Sequence, residues 1–272
     1  MHGLPTKYIN FKHHCNNRMD EFFDYINRDL SDESVWNNFE EILGDFDDDQ
    51  YYDDTCLNTQ AESWGEAAGV ADDISESATI LIELVKKEFS TWIDGIDYGA
   101  ARKILKFEQD TYYFSFNYTS SLEVIYGINK NRIKYIHGSA ESYDDLIFGH
   151  GRVIIEEPEL DENGDSNRHP YTDAKSAAKI PLYALRKNVE EIIQNESAYF
   201  KSLSSIKSIT VIGHSLNDID MPYFDAVNVA ANKPHWHVYY HDDKDSVNFK
   251  NKMNAIGIED SRLHILDIKM KN

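Results

Sequence analysis

From about residue 110 to the end of the chain, short stretches rich in β-branched and aromatic residues alternate with segments of helical periodicity. This alternation predicts strand–helix–strand units, which build a mostly parallel sheet. The predicted strands are residues 111–116, 132–136, 145–148, 208–212, 235–240 and 263–268. The predicted helices lie near residues 120–126, 183–195, 221–231 and 246–256. We therefore expect an α/β fold in this part of the chain.

The N-terminal part of the chain has a helical pattern instead. Apolar residues recur at helical spacing over residues 17–30 and again over residues 75–92. Residues 45–54, a stretch rich in aspartate, are interpreted as a solvated loop, because calcium loops need a glycine turn and fixed ligand spacing. Residues 156–172 are predicted to form another exposed loop. Since no clear linker separates two domains, we expect a single domain, residues 1–272, with a helical N-terminal half and helical insertions.

The chain carries a net charge of −21, from 48 acidic and 27 basic residues. Such a surface repels the phosphate backbone, so nucleic acid is not an expected partner. No apolar run approaches the roughly 18–20 residues that a membrane helix needs, and the N-terminus lacks the features of a signal peptide. Cys15 and Cys56 are too few for a four-cysteine zinc site and suit a reducing compartment. These observations predict a cytoplasmic protein that does not enter a membrane.

The segment Gly213-His-Ser-Leu-Asn217 resembles the start of the G-x-S-x-G turn of serine hydrolases. That turn needs a small residue two positions after the serine, where this chain has Asn217, so we do not expect Ser215 to be a nucleophile. Two other interpretations stay open. Gly213, Ser215 and Asp218 suit the binding of a ribose or phosphate group at the carboxyl end of a parallel strand, or Ser215 and Asp218 simply cap the next helix.

A pair of histidines, His235 and His237, shares one face of a predicted strand, and this spacing can chelate a transition metal. The sequence identifies no distant ligand to complete such a site, and the same pattern is typical of an exposed strand face. We therefore predict no metal site in this chain.

Four ordered motifs carry a resemblance to a known family. They are H-G-L-P-T-x-Y-x-x-F at residues 2–11, F-N-Y-T-x-x-L-E at residues 116–123, H-G followed by F-G-H-G at residues 137–151, and G-H-S-L-x-x-x-D-x-x-Y-F at residues 213–224. Together they resemble the AbiH family of bacterial phage abortive-infection proteins over almost the whole chain. The chain is also distantly similar to the sirtuin-like domains of bacterial anti-phage defence proteins.

The resemblance implies a Rossmann-like or sirtuin-like, mostly parallel sheet that binds NAD. It implies catalytic roles for Asn117, which would orient a water, and for His137, which would act as a general base. It places the following residues in cofactor binding: Thr119, Gly138, Gly149, His150, Gly213, His214, Ser215 and Asp218. The implied activity is NAD hydrolysis at the glycosidic bond. Deacetylation is not expected, because sirtuin deacetylases carry a four-cysteine zinc module.

The chain departs from the family pattern at its start. The family normally has a first strand and a G-N-G-F-D turn before H-G-L-P-T, and this turn corresponds to the glycine loop that cradles the pyrophosphate in sirtuins. Here the sequence begins at Met1-His2, so that segment is expected to be missing. The alternative is therefore a non-catalytic module that senses nucleotides or binds a protein. Expected partners are a nucleotide, a phage-derived trigger or a partner protein, and a second copy of the chain.

Overall fold

The computed structural model describes residues 14–15, 19–30, 39–56, 64–99, 101–107, 110–139, 146–156, 158–169 and 171–271. The helices in these ranges are α1 (Asp20–Phe23), α2 (Phe39–Ile42), α3 (Asp48–Cys56), α4 (Trp64–Asp94), α5 (Ser121–Val124), α6 (Thr172–Ala178), α7 (Ile180–Ala184), α8 (Val189–Asn195), α9 (Ser197–Ser202), α10 (Met221–Ala230) and α11 (Asp245–Ala255). The strands are β1 (Tyr113–Ser115), β2 (Ile133–Tyr135), β3 (Ser208–Ile212), β4 (His235–Tyr240) and β5 (Leu263–Asp267).

The chain forms two compact units, each built from several stretches. Unit 1 contains Met1–Asp97, Tyr118–Ser120 and His137–Lys187, and unit 2 contains Tyr98–Asn117, Ser121–Ile136 and Asn188–Asn272. The expectation of a single domain stays a prediction. The opening motif at residues 2–11 lies outside the described residues.

Unit 1 is mainly helical, as the periodicity predicts, and α4 is its longest helix. Side chains of α4 at helical spacing, including Ile74, Val85 and Phe89, are fully buried. This face packs against α6 and α7. The ring of Phe89 lies at the centre of the core, where it stacks on Phe148 with ring centroids 4.2 Å apart. In the described part of the chain, no helix combines the length and the apolar character needed to cross a membrane.

Two predictions for the N-terminal part are wrong. Over the described residues 19–30 of the helix predicted at residues 17–30, only the short α1 forms, because the backbone beyond it pairs with residues 45–47 instead. The N–H of Asn27 donates to the carbonyl of Asp45 at 2.8 Å, and the N–H of Asp47 donates to the carbonyl of Tyr25 at 2.7 Å. The aspartate-rich stretch is also no simple solvated loop, since it contains α3.

The aspartate-rich stretch contains buried groups as well as exposed carboxylates. Phe46 and Tyr51 are buried and pack edge to face, with ring centroids 5.4 Å apart. Asp45 is buried because two guanidinium groups compensate its charge: Arg28 at 2.6 Å, and Arg152. The cost of desolvating the carboxylate is offset by these charged partners.

Unit 2 contains the strands. β1 pairs with β2 in parallel, with Ser115 opposite Tyr135, and β3, β4 and β5 form a second parallel sheet with β4 in the centre. Helices α10 and α11 connect the strands of the second sheet, as expected for strand–helix–strand units. A mixed α/β fold with short parallel sheets is thus confirmed. A continuous Rossmann-like sheet is not seen among the described strands, and residues 146–148 of the third predicted strand, 145–148, form no strand.

Both sheets of unit 2 pack against α10. Phe224 of this helix lies 6.2 Å from Trp236 of β4, measured between ring centroids, and 5.5 Å from Phe116, which directly follows β1. Tyr223 of the same helix lies 5.6 Å from Phe116. Alternate residues of β3 and β4, among them Val211 and Val238, point into the same hydrophobic cluster.

Replacing Phe89 tests the core of unit 1. We expect Phe89→Ala to lower the free energy of unfolding by about 3–5 kcal/mol, because the cavity it leaves is lined by rings that cannot collapse into it. Chemical denaturation measures the change. The control is Tyr112→Ala at an exposed aromatic residue, which we expect to change the value by less than about 1 kcal/mol. An equal effect of both substitutions would contradict this assignment of the core.

Candidate functional site

The turn that follows β1 carries Asn117, the side chain with a predicted catalytic amide. The backbone N–H of Asn117 donates to the hydroxyl of Ser115 at 3.2 Å, which ties the turn to the end of the strand. Its side chain is exposed, and among the described residues its amide has no hydrogen-bond partner. An exposed carboxamide at a strand end can both donate to and accept from a ligand hydroxyl group.

The turn that follows β3 has an unusual backbone. Gly213 has a φ of +69°, and apart from its chain neighbours no atom lies within 4 Å of the place where a Cβ would stand. Leu216 also has a positive φ, +53°, although its side chain is fully buried in the hydrophobic cluster of unit 2. Ser215 lies between them with an exposed side chain. The turn therefore presents a glycine and a hydroxyl group to solvent while a leucine anchors it.

The side chain of His214 stabilises this turn through contacts of both ring nitrogens. Its Nδ1 accepts the backbone N–H of Leu216 at 2.8 Å, and its Nε2 lies 3.4 Å from a carboxylate oxygen of Asp220. The ring packs against Phe116, with centroids 4.3 Å apart. Both ring nitrogens thus have protein partners, so the imidazole supports the turn and is not presented to a ligand.

The contact between Phe116 and His214 brings two predicted strand-end turns to one edge of unit 2. Asn117 is the residue after Phe116, and Gly213 is the residue before His214. The carboxyl ends of β1 and β3 therefore lie side by side, which is where open parallel sheets bind their ligands. The exposed groups at this edge are Asn117, Gly213, Ser215 and Asp218.

The interpretation that Ser215 and Asp218 cap the next helix is wrong. Neither the short 3-10 turn Asp218–Asp220 nor α10 has a side-chain capping hydrogen bond at its N-terminus. Asp218 instead pairs with Lys252, whose ammonium lies 2.7 Å from a carboxylate oxygen. The same ammonium donates to the carbonyl oxygen of Leu216 at 2.9 Å. Sequence reasoning missed Lys252, because no local pattern marks a lysine 36 residues away as part of the turn.

The other predicted catalytic residue, His137, belongs to unit 1 and is 2 % exposed. Its ring stacks beside Tyr118, with centroids 6.1 Å apart, and its backbone carbonyl accepts the N–H of Ile147. Gly138 has a φ of +80°, which favours glycine at this turn, and Thr119 is half-buried. The imidazole of His137 is therefore buried in this structure and is not exposed to a ligand in solution.

Tyr118 is anchored by a buried charge pair in unit 1. Its hydroxyl donates to Glu40 at 2.5 Å and lies 3.0 Å from the carbonyl oxygen of Ile147. The ammonium of Lys187 lies 3.0 Å from the other carboxylate oxygen of Glu40, and the side chain of Lys187 is completely buried. This network holds Tyr118 of the F-N-Y-T motif in place. From the sequence, no role was predicted for this tyrosine.

Gly149 and His150 of the F-G-H-G motif are structural. A Cβ on Gly149 would stand 2.1 Å from the carbonyl oxygen of Leu185, so only glycine fits at this close approach. The backbone N–H of His150 donates to the same carbonyl, and its own carbonyl accepts the N–H of Lys187, each at 2.9 Å. This pairing also explains why the helix predicted over residues 183–195 is interrupted between α7 and α8.

Both ring nitrogens of His150 are bonded inside unit 1. Nε2 donates to the carbonyl of Leu182 at 2.8 Å, and Nδ1 accepts the backbone N–H of Arg152 at 3.1 Å. Burial lowers the pKa of this imidazole below its ordinary value of 6.5. His150 also lines a cavity of about 470 Å³ in unit 1, and it is the one predicted site residue among the described residues that line it.

The histidines of β4 and β5 form a row on one face of their sheet. His237 and His264 stack with ring centroids 5.0 Å apart, and His235 lies 6.4 Å from His264. Within the described ranges, no group of three or more His, Cys, Asp or Glu side chains is arranged to hold a metal ion. The row is a partly exposed face of β4 and β5, as one of the two sequence interpretations expects.

Replacing His150 tests the pH dependence of unit 1. Because the pKa of His150 is lowered in the folded chain, its contribution to stability is fully present above about pH 6.5 and is lost as the pH falls through the folded pKa. We expect His150→Gln to lower stability at pH 7.5 by about 1–3 kcal/mol and to reduce the further loss between pH 7.5 and 5.5. Denaturation curves at several pH values measure both effects. His241→Gln, at an exposed position, is the control; an unchanged pH dependence in His150→Gln contradicts the prediction.

A double-mutant cycle tests the anchor of Tyr118. Lys187→Met leaves the carboxylate of Glu40 without its cation, and we expect a loss of about 3 kcal/mol in unfolding free energy. Combined with Glu40→Gln, the loss should be smaller than the sum of the two single losses by at least about 1 kcal/mol. The exposed pair Lys250–Asp260, 2.8 Å apart, is the control and should show much weaker coupling, because solvent screens both charges. Additive losses at Glu40 and Lys187 would show that the pair does not act as a unit.

A comparison with protein families supports the resemblance carried by the four motifs. The model of the family described as bacteriophage abortive infection AbiH matches residues 1–240, which is far more than half of the 272 residues. Searches of curated proteins and of solved structures each found no match. The family match covers all four motifs as well as the two strand-end turns of unit 2. The chain belongs to the AbiH family of bacteriophage abortive infection proteins.

Proposed function

We propose that this chain acts in anti-phage abortive infection by binding NAD or a related nucleotide at the edge of unit 2 where β1 and β3 end. The family membership indicates the anti-phage role. The observation that carries the ligand proposal is the contact between Phe116 and His214, because it places the exposed Asn117 beside the exposed Gly213 and Ser215. Carboxyl ends of neighbouring parallel strands are the usual place for a nucleotide in α/β folds.

The exposed groups suit the polar parts of a nucleotide. The amide of Asn117 and the hydroxyl of Ser215 can bond ribose hydroxyls or phosphate oxygens. Gly213 leaves room for a ligand to approach the backbone, since no neighbouring atom fills the space beside its Cα. The connections through α10 and α11 favour a Rossmann-like arrangement, and this fold assignment is part of the proposal.

The geometry supports binding better than hydrolysis. Asn117 is exposed and able to meet a ligand, whereas His137 is buried, so a role as a general base requires that its ring become exposed. NAD hydrolysis through Asn117 and His137 is the second candidate, favoured by the free amide of Asn117. A phage-derived trigger or a partner protein that exposes His137 would connect the two candidates.

Matched serine variants test ligand binding. We expect NAD or ADP-ribose to bind the purified chain, and we expect Ser215→Ala and Asn117→Ala each to weaken binding about tenfold, which corresponds to about 1.4 kcal/mol for a lost hydrogen bond to the ligand. Isothermal titration calorimetry measures the affinity. The control is Ser208→Ala, an exposed serine at the opposite end of β3, which should bind like the unsubstituted chain.

The result that overturns the binding proposal is the absence of any heat or thermal shift with NAD, ADP-ribose, ATP and GTP. Chromatography of NAD incubated with the chain then separates the two candidate functions. Release of nicotinamide that disappears in both Asn117→Ala and His137→Ala supports hydrolysis. Binding with NAD left intact supports a nucleotide-sensing role, and plaque counts on cells that express the same variants relate either result to phage defence.

A further inference from the structure

The turn after β3 contains a strained residue that other groups must hold in place. Leu216 has a φ of +53°, a region that is sterically unfavourable for a residue with a bulky side chain. Its side chain is nevertheless 0 % exposed and packs among the residues of the unit 2 cluster. A leucine keeps such a backbone conformation only where the surroundings over-determine it, and such positions concentrate at ligand-binding turns.

Side chains, and not a backbone ladder, satisfy the polar groups of Leu216. Its N–H donates to Nδ1 of His214 at 2.8 Å, and its carbonyl oxygen accepts from the ammonium of Lys252 at 2.9 Å. His214 belongs to the turn itself, whereas Lys252 comes from α11. The conformation of the turn therefore depends on a contact with a distant helix.

Lys252 closes the turn at a second point. Its ammonium lies 2.7 Å from Oδ1 of Asp218, a residue whose side chain is 89 % exposed. The two oxygens that it binds belong to residues 216 and 218, so one cation bridges the segment that follows Ser215. An ammonium has three N–H donors and can make both bonds at once.

We propose that Lys252 is a positioning residue that locks the turn 213–218 with Leu216 buried and with Gly213 and Ser215 facing the ligand. Without the ammonium, the carbonyl of Leu216 loses its partner, and the strained conformation loses the contact that compensates it. The turn then samples other conformations, and a ligand must pay the entropy of ordering it. The consequence for ligand affinity rests on the proposed function, whereas the order of the turn does not.

Hydrogen exchange of residues 213–218 in the free protein tests the lock without any ligand. In Lys252→Met we expect the amide of Leu216, which donates to Nδ1 of His214, to exchange at least about tenfold faster, with amides outside this turn unchanged. Lys250→Met is the matched control, because Lys250 lies on the same helix and pairs with the exposed Asp260. Lys252→Gln, which keeps an N–H donor of similar length, should restore part of the protection, and it replaces Lys252→Met if that variant does not fold.

Calorimetry with NAD tests the effect on binding. We expect about tenfold weaker binding in Lys252→Met, an intermediate value in Lys252→Gln and an unchanged value in Lys250→Met. If the unsubstituted chain binds no nucleotide, the proposed function fails. The exchange experiment still tests whether Lys252 holds the turn 213–218 in its conformation. Unchanged exchange in Lys252→Met overturns the proposal, and so does faster exchange spread over the whole of unit 2, since that indicates a general loss of stability.

Discussion

The packing of Phe116 against His214 and α10 is the contact on which the candidate site depends. β1 and β3 belong to different sheets, and among the described strands no backbone ladder joins them. Aromatic packing takes that role, because Phe116 contacts His214, Tyr223 and Phe224 with ring centroids 4.3 to 5.6 Å apart. The positions of Asn117 and Gly213, one residue away on either side, follow from this apolar contact.

The F-N-Y-T and G-H-S-L motifs both mix residues that build the fold with residues that face solvent. In F-N-Y-T, Asn117 is exposed, whereas Tyr118 is buried and bonded to Glu40. In G-H-S-L, Ser215 is exposed, whereas Leu216 is buried. Gly149 and His150 of F-G-H-G are wholly structural, since they hold the backbone against residues 185–187. A polar motif residue is thus a candidate ligand contact only where its side chain is exposed and has no hydrogen-bond partner within the protein.

Local sequence patterns predict most elements of the fold well. The helix through residues 75–92 and the strands β1 to β5 occur where periodicity and β-branched residues indicate them. The errors lie where tertiary pairing overrides local preference. The backbone after α1 pairs with residues 45–47 and so does not continue as a helix. Residues 48–54 of the aspartate-rich stretch lie in α3, and the buried Phe46 and Tyr51 pack on one side of the stretch.

The sequence by itself determined the alternation of strands and helices, the turns at the strand ends and the membership of the AbiH family, because these depend on residue order and local periodicity. Only the tertiary structure decided which polar groups are available. Lys187 reaches Glu40 across 147 residues, and Lys252 reaches Leu216 across 36. The burial of His137 and His150 likewise depends on segments far away in the chain. Desolvation and long-range hydrogen bonds arise only when distant segments pack together, so no local pattern specifies them.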